Sequence, residues 1–145
     1  MAGPRRPVPG GPFRIARTVN APIVCLDCET ATLRGAPHLL ELGAVRVVEG
    51  EVTDTFERLV RPEVAIEPAA TEIHGIADEH VRDARSAPQV LADFAAWLGG
   101  DWMAAHNASF DARVLGFEFR RARLEAPAQP EIGRASCRER VLRLV

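Results

Sequence analysis

The stretch Val24–Leu33, VCLDCETATL, sets an Asp and a Glu two positions apart inside an apolar run. In an extended strand residues i and i+2 project from the same face, so Asp27 and Glu29 stand side by side. A third acid, Asp111, lies in AHNASFDARVL, just past an apolar segment that ends at His106. If the two segments are neighbouring strands, three carboxylates meet at one spot. Bare carboxylates at close range repel one another and call for a cation between them. An all-oxygen donor set suits Mg²⁺ or Mn²⁺ better than zinc. Two such ions together are a recurring means of cleaving phosphodiesters, one activating water and the other stabilising the leaving oxygen. Each acid also has a plain structural reading. Asp27 and Glu29 suit a solvated strand end, and Asp111 suits a first helical turn, where the dipole favours negative charge.

Hydrophobic periodicity defines the elements that must position these acids. Residues 22–28 read as a strand, apolar enough to be central and covered on both faces. Leu39–Val48 reads as a second strand, Glu49-Gly50 as a turn and Val52–Val60 as a third strand, giving an antiparallel meander. A loop over residues 61–68 follows, then short helical turns at Ala69–His74 and Ala77–Arg82. Pro88–Leu98 carries apolar residues at helical spacing and stops at Gly99-Gly100. Trp102–His106 reads as a short strand. A helix capped by Asn107 or Ser109 runs from there to about Leu124, before a Pro-rich stop at 125–130. The order βββ, α, β, α predicts an α/β fold, a mixed sheet with helices on its faces. Residues 1–20, rich in Pro, Gly and Arg, read as a flexible arm.

A chain of 145 residues suffices for one domain with a core. Its net charge of −2 argues against binding nucleic acid through bulk positive charge, though not against a local basic patch. No apolar stretch approaches a membrane span, and the N-terminus lacks the apolar segment of a secretion signal. The three cysteines suit a reducing, cytoplasmic setting better than a disulfide framework. Cys25 and Cys28 form a lone C-x-x-C inside a strand, where i and i+3 face opposite ways. Packing is the better reading of that pair than zinc or redox chemistry.

Four motifs occur in a fixed order: D-x-E-T at Asp27–Thr30, E-L-G-A-V at Glu41–Val45, I-H-G-I-A-D-E at Ile73–Glu79, and H-N-A-x-F-D at His106–Asp111. Through them the chain resembles the DEDDh 3′→5′ exonucleases over roughly residues 22–125. The most similar branch is the one containing the proofreading, epsilon-type subunit of bacterial DNA polymerase III. The resemblance implies a ribonuclease H-like fold and hydrolysis of terminal phosphodiesters of DNA or RNA, releasing nucleoside 5′-monophosphates. It implies that Asp27 bridges two Mg²⁺ or Mn²⁺ ions, that Glu29 holds the ion that activates water, and that Asp111 holds the second. It sets Thr30 and Leu33 against the terminal nucleotide. His74, Asn107 and Phe110 line or support the pocket, and His106 ends the strand beside it. The partners implied are single-stranded 3′ ends of DNA or RNA and a DNA polymerase. Alternatives stay open at several positions. His74 before Gly75 can be an ordinary cap, Asn107 only an N-cap, and Phe110 a core side chain. Arg113, Arg120, Arg121 and Arg123 either grip phosphates or form an exposed helical face.

The chain also departs from the family. A late H-x₄-D motif supplies that family's general-base His and fourth carboxylate, and after Asp111 this sequence contains neither His nor Asp. A further strand and a closing helix likewise lack a counterpart. Thr32 stands where the family often has Gly. The segment EIGRASCRERV, residues 131–141, has neither core periodicity nor a turn motif and resembles a translated short-read sequencing adapter. The expectation is a partial, C-terminally truncated domain over 21–130, a non-native tail over 131–145, and a chain that is poorly stable and near-inactive as written. The rival readings are an impaired module that binds nucleic-acid ends or a polymerase, an oligoribonuclease-like RNA exonuclease, and a metal-binding module with no nucleic-acid role.

Overall fold

A computed structural model describes residues 21–127 and the backbone of residues 133 and 134. The expected arm over 1–20 lies outside the described residues, as does the tail from 131 onward apart from that pair. Three long strands come first: β1 (Ile23–Thr30), β2 (Leu39–Val48) and β3 (Glu51–Arg61), paired as an antiparallel meander. The hairpin between β2 and β3 turns on Glu49 and Gly50, both with positive φ, as a tight hairpin matched to strand twist requires. Then follow α1 (Pro68–His74), α2 (Asp78–Val81), β4 (Arg85–Ser86), α3 (Ala87–Leu98), β5 (Trp102–Ala105), α4 (Ala108–Ala122) and β6 (Gly133–Arg134). The sheet order is β4-β3-β2-β1-β5-β6, with β5 parallel to β1. The mixed α/β architecture predicted from the sequence is therefore the one observed.

Two helices cover one face of the sheet. Val24, Leu26 and Cys28 of β1 pack with Leu42, Ala44 and Phe56 beneath α3 and α4, whose Val90, Leu91, Phe94, Val114, Leu115 and Phe119 complete the main core. A second cluster, Ala31, Leu40, Ile66, Ala70 and Val81, seats α1 and α2. Pro68 opens α1 at a position where a missing N–H does no harm, and Gly75 closes it at φ 76. The β1 reading needs correction on two counts. The strand runs to Thr30, two residues beyond the predicted 22–28, so Glu29 lies within it rather than past its end. It is also fully covered on one face only: Ile23 and Asp27 are exposed, while Cys25 and Glu29 are half-buried. The apolar Ile23 and Cys25 conceal a true alternation. Cys25 and Cys28 do face opposite ways, as the packing reading requires.

Two short strands were not anticipated. β4 pairs with β3 over Val60–Arg85 and Arg61–Ser86, too short a ladder to leave a periodic signal. β6 pairs with β5 over Ala104–Gly133 and Ala105–Arg134, although no further strand was expected there. The physical reason lies in β5. Its outer edge presents unpaired main-chain groups, and an extended segment satisfies them whatever its side chains. Helix α4 ends at Ala122, with Arg123 left-handed at φ 55, two residues before the expected stop. Among the described residues no helix is long and apolar enough to cross a membrane.

Candidate active site

Strand β1 carries Asp27 and Glu29 on its less covered face, with Gly43 and Glu41 of β2 directly opposite them. Glu29 thus meets a like charge across the ladder, an unfavourable pair unless something offsets it. Burial pushes the Glu29 pKa up to about 7, and Asp27, Glu41 and Asp111 add repulsion in that order. Glu41 is raised as well, by burial first and then by Glu57 and Asp27.

Asp111 enters from the first turn of α4 and is 1% exposed. The β1–β5 ladder ends at Leu26–Ala105, and beyond it the Cys28 amide donates to Asp111 Oδ1 at 2.9 Å. Asp111 Oδ2 is buried and has no hydrogen-bond partner. Burial and then Asp27 raise the Asp111 pKa to about 6, against the lowering effect of the Cys28 amide. The Cys28 thiol is itself held well above its ordinary range, by burial first and then by Asp111, so it stays protonated and packs.

The donor chemistry here fits a hard divalent cation: oxygen donors only, acids that raise one another, and a buried carboxylate oxygen without a partner. Yet among the described residues no group of three or more Asp, Glu, His or Cys side chains is arranged to hold a metal ion as it stands. Asp27, Glu29 and Asp111 are neighbours in charge, but two leave the sheet on one face while the third comes in from a helix beyond the end of β5.

Beside the acids lies a groove of about 260 Å³. Glu29, Thr30, Leu33, His74 and Phe110 line it, all of them anticipated, and Thr32, Pro37, Ile73 and Arg113 complete it. His74 does more than end a helix. Its Nδ1 accepts the Ile76 amide at 3.1 Å, so Nε2 bears the proton and donates to the Thr30 carbonyl at 3.1 Å. The ring thereby fastens α1 to the end of β1. Phe110 answers to both of its readings, half-buried against the main core and lining the groove. Asn107 is the N-cap residue of α4, but its side chain makes no capping bond; its carbonyl accepts the Phe110 and Asp111 amides at 2.9 and 3.2 Å. It is exposed and does not line the groove, and neither does exposed His106.

The loop of residues 31–38 forms the opposite lip. The Thr32 hydroxyl donates to the Ala36 carbonyl at 2.6 Å, and the Leu33 amide donates to Glu67 Oε2 at 3.1 Å. Glu67 also donates its own amide to the Ala31 carbonyl at 2.9 Å. Sequence reading missed Glu67, although an acid directly before a helix-opening Pro was the available signal. It also missed Glu118, buried on the apolar stripe of α4. Glu118 accepts the Leu39 amide at 2.9 Å and pairs with Arg121 at 3.0 Å.

The sheet order and the acid-bearing central strand define the ribonuclease H-like α/β class. Comparison with known proteins sharpens that assignment. A profile of the RNase_T exonuclease family matches residues 24–135. The chain is 37% identical over 110 residues to the PolC-type DNA polymerase III of Oceanobacillus iheyensis, a match covering 75% of this chain and 8% of that protein. The structure of Exonuclease X in complex with 5′ overhanging duplex DNA aligns with a TM-score of 0.59 at 32% identity, over 74% of this chain and 56% of that one. The nuclease domain of 3′hExo, a DEDDh family member bound to rAMP, aligns in fold with a TM-score of 0.69 at 22% identity, over 79% and 66% of the two chains. The chain belongs to the RNase_T exonuclease family. It spans about 8% of the length of the curated relatives it matches.

Proposed function

We propose that this domain hydrolyses the 3′-terminal phosphodiester of single-stranded DNA or RNA, with divalent ions held by Asp27, Glu29 and Asp111. The observation that carries this reading is one juxtaposition. Coupled acids with raised pKa values, one of them with an orphaned buried oxygen, border a groove lined by Leu33 and Phe110. Bound Mg²⁺ or Mn²⁺ supplies an activated water and stabilises charge on the leaving oxygen. The protein's own part is positional. The Cys28 amide fixes Asp111, and His74 fixes the end of β1 through the Thr30 carbonyl. Leu33, 46% exposed, and Phe110 offer apolar surfaces to a terminal base. Asn107 acts at one remove, through the carbonyl that starts α4.

The test is release of nucleoside 5′-monophosphates from a 3′-labelled oligonucleotide in Mn²⁺. Wild type should turn over and Asp27→Ala should not; equal turnover by the two proteins would sink the reading. For the 145-residue chain assayed by itself, which holds no His or Asp after Asp111, turnover should be slow, short of a positioned base worth about 10²–10⁴-fold. The rival reading is an impaired module that binds nucleic-acid ends. That reading predicts equal oligonucleotide binding by wild type and Asp27→Ala, with no turnover by either. The PolC-type relatives support association with a DNA polymerase as this domain's setting.

A further inference from the structure

We infer that Arg113 is the groove's phosphodiester-binding residue, gripping a backbone phosphate of a single-stranded polynucleotide and linking it to the loop that carries Thr32 and Leu33. The inference rests on the nuclease reading above and adds a substrate contact to it. Among the described residues lining the groove, Arg113 carries the one permanent positive charge. The groove's acidic end, at Glu29, is coupled to Asp27, Glu41 and Asp111. A polyanion approaching that end gains from a cation that is not already committed to an ion pair. The arginines of α4 differ in this respect. Arg121 pairs with Glu118 and Glu63, whereas the bond recorded for Arg113 runs from its Nη2 to the neutral carbonyl of Gly35 at 2.9 Å.

Guanidinium chemistry makes the two contacts compatible. Five N–H groups on a rigid fork let one donate to a carbonyl while others donate, in bidentate fashion, to a phosphate. Position supports the same conclusion. Arg113 lies three residues beyond Phe110 on α4, and residues at that spacing share a helix face. A nucleotide whose base meets Phe110 therefore has a cation one step along the same face. The Gly35 carbonyl belongs to a loop held from its other side by Glu67, so phosphate capture at Arg113 bears directly on Leu33.

The decisive experiment measures binding of a short oligodeoxythymidylate with a free 3′-hydroxyl across a salt series, in Ca²⁺ to separate binding from turnover. Wild type, Arg113→Gln and Arg113→Lys are compared. Removal of one phosphate contact should weaken binding several-fold and flatten the slope of log affinity against log salt by about 0.7. Arg113→Lys should keep the slope, since its charge remains. A purely structural role at Gly35 would change affinity without changing the slope, so equal slopes for wild type and Arg113→Gln would overturn the assignment while leaving the nuclease reading intact. A wild-type chain that binds no oligonucleotide would overturn both. Arg113 is exposed, so Arg113→Gln should melt with wild type.

Discussion

Asp111 condenses the physics of this protein into one side chain. One of its oxygens is satisfied by the Cys28 amide and the other is buried without a partner, beside the charge of Asp27. Replacing it by Asn keeps an oxygen for the Cys28 amide and removes the repelled charge. Asp111→Asn should therefore melt no lower than wild type without divalent ions, and should lose the upward melting shift that Mn²⁺ gives wild type. Thermal melts with and without Mn²⁺ decide this; an undiminished Mn²⁺ shift in the variant would exclude Asp111 as a ligand. The pH dependence follows from the same charges. A carboxyl whose pKa is raised by folding binds its proton more tightly in the folded state. Its contribution to stability is present below the unfolded value and is lost as pH rises through the folded one. For Asp111 that window closes near about 6 and for Glu29 near about 7. The metal-free protein should thus lose melting temperature as pH rises through this range, and less steeply in Glu29→Gln. Identical pH profiles for the two proteins would contradict the assignment.

At the scale of the element, α3 and α4 hold the sheet through different chemistry. Phe94 of α3 is fully buried, with its ring edge-on to Phe56 at 5.4 Å and 6.2 Å from Trp97. Phe94→Ala should lower unfolding free energy by about 3–5 kcal/mol. Denaturant titration should show this as a lower midpoint with an unchanged slope. Helix α4 instead uses the Glu118 carboxylate, which takes up the first amide of β2. Glu118→Ala leaves that buried amide unpaired and should cost about 1–3 kcal/mol, whereas Glu118→Gln, which keeps an acceptor, should cost less. The contrast explains what could be read beforehand. Val114, Leu115 and Phe119 mark the packed stripe of α4 by their spacing alone. Glu118 lies on the same stripe, but periodicity treats any acid as surface and overlooks one whose partner is 79 residues away. β2 matched its reading because both ends of its apolar run are real ends. β1 did not, because two outward positions happen to be apolar.

The molecule as a whole places its chemistry where a sheet, a helix and a loop meet, and its legibility divides along that line. Motifs along the chain pointed to Glu29, Thr30, Leu33, His74 and Phe110, which do share a groove. They could not show that Asp111 arrives from a different direction than Asp27 and Glu29, nor that Asn107 stays outside. Those outcomes depend on contacts such as His74 with Thr30, 44 residues apart, which no local pattern encodes. The less covered sheet face has its own consequence. Ile23 and Trp102 lie opposite each other in the β1–β5 ladder, 39% and 54% exposed. Adjacent exposed apolar side chains of this size favour association. Trp102→Gln should reduce concentration-dependent light scattering without lowering the melting temperature. Unchanged scattering would clear this face of a role in association.

The link between Cys28 and Asp111 carries one more implication, concerning what position 28 can tolerate. The bond that aligns the acids uses the peptide of residue 28, and the buried thiol adds a side-chain contact of its own to Asp111. Among small side chains, chemical identity at this buried position is therefore nearly free: Ala or Ser should preserve divalent-ion binding. Proline should abolish it by deleting the N–H. This is a position where inheritance can rewrite the letter among small residues, provided that the peptide hydrogen survives.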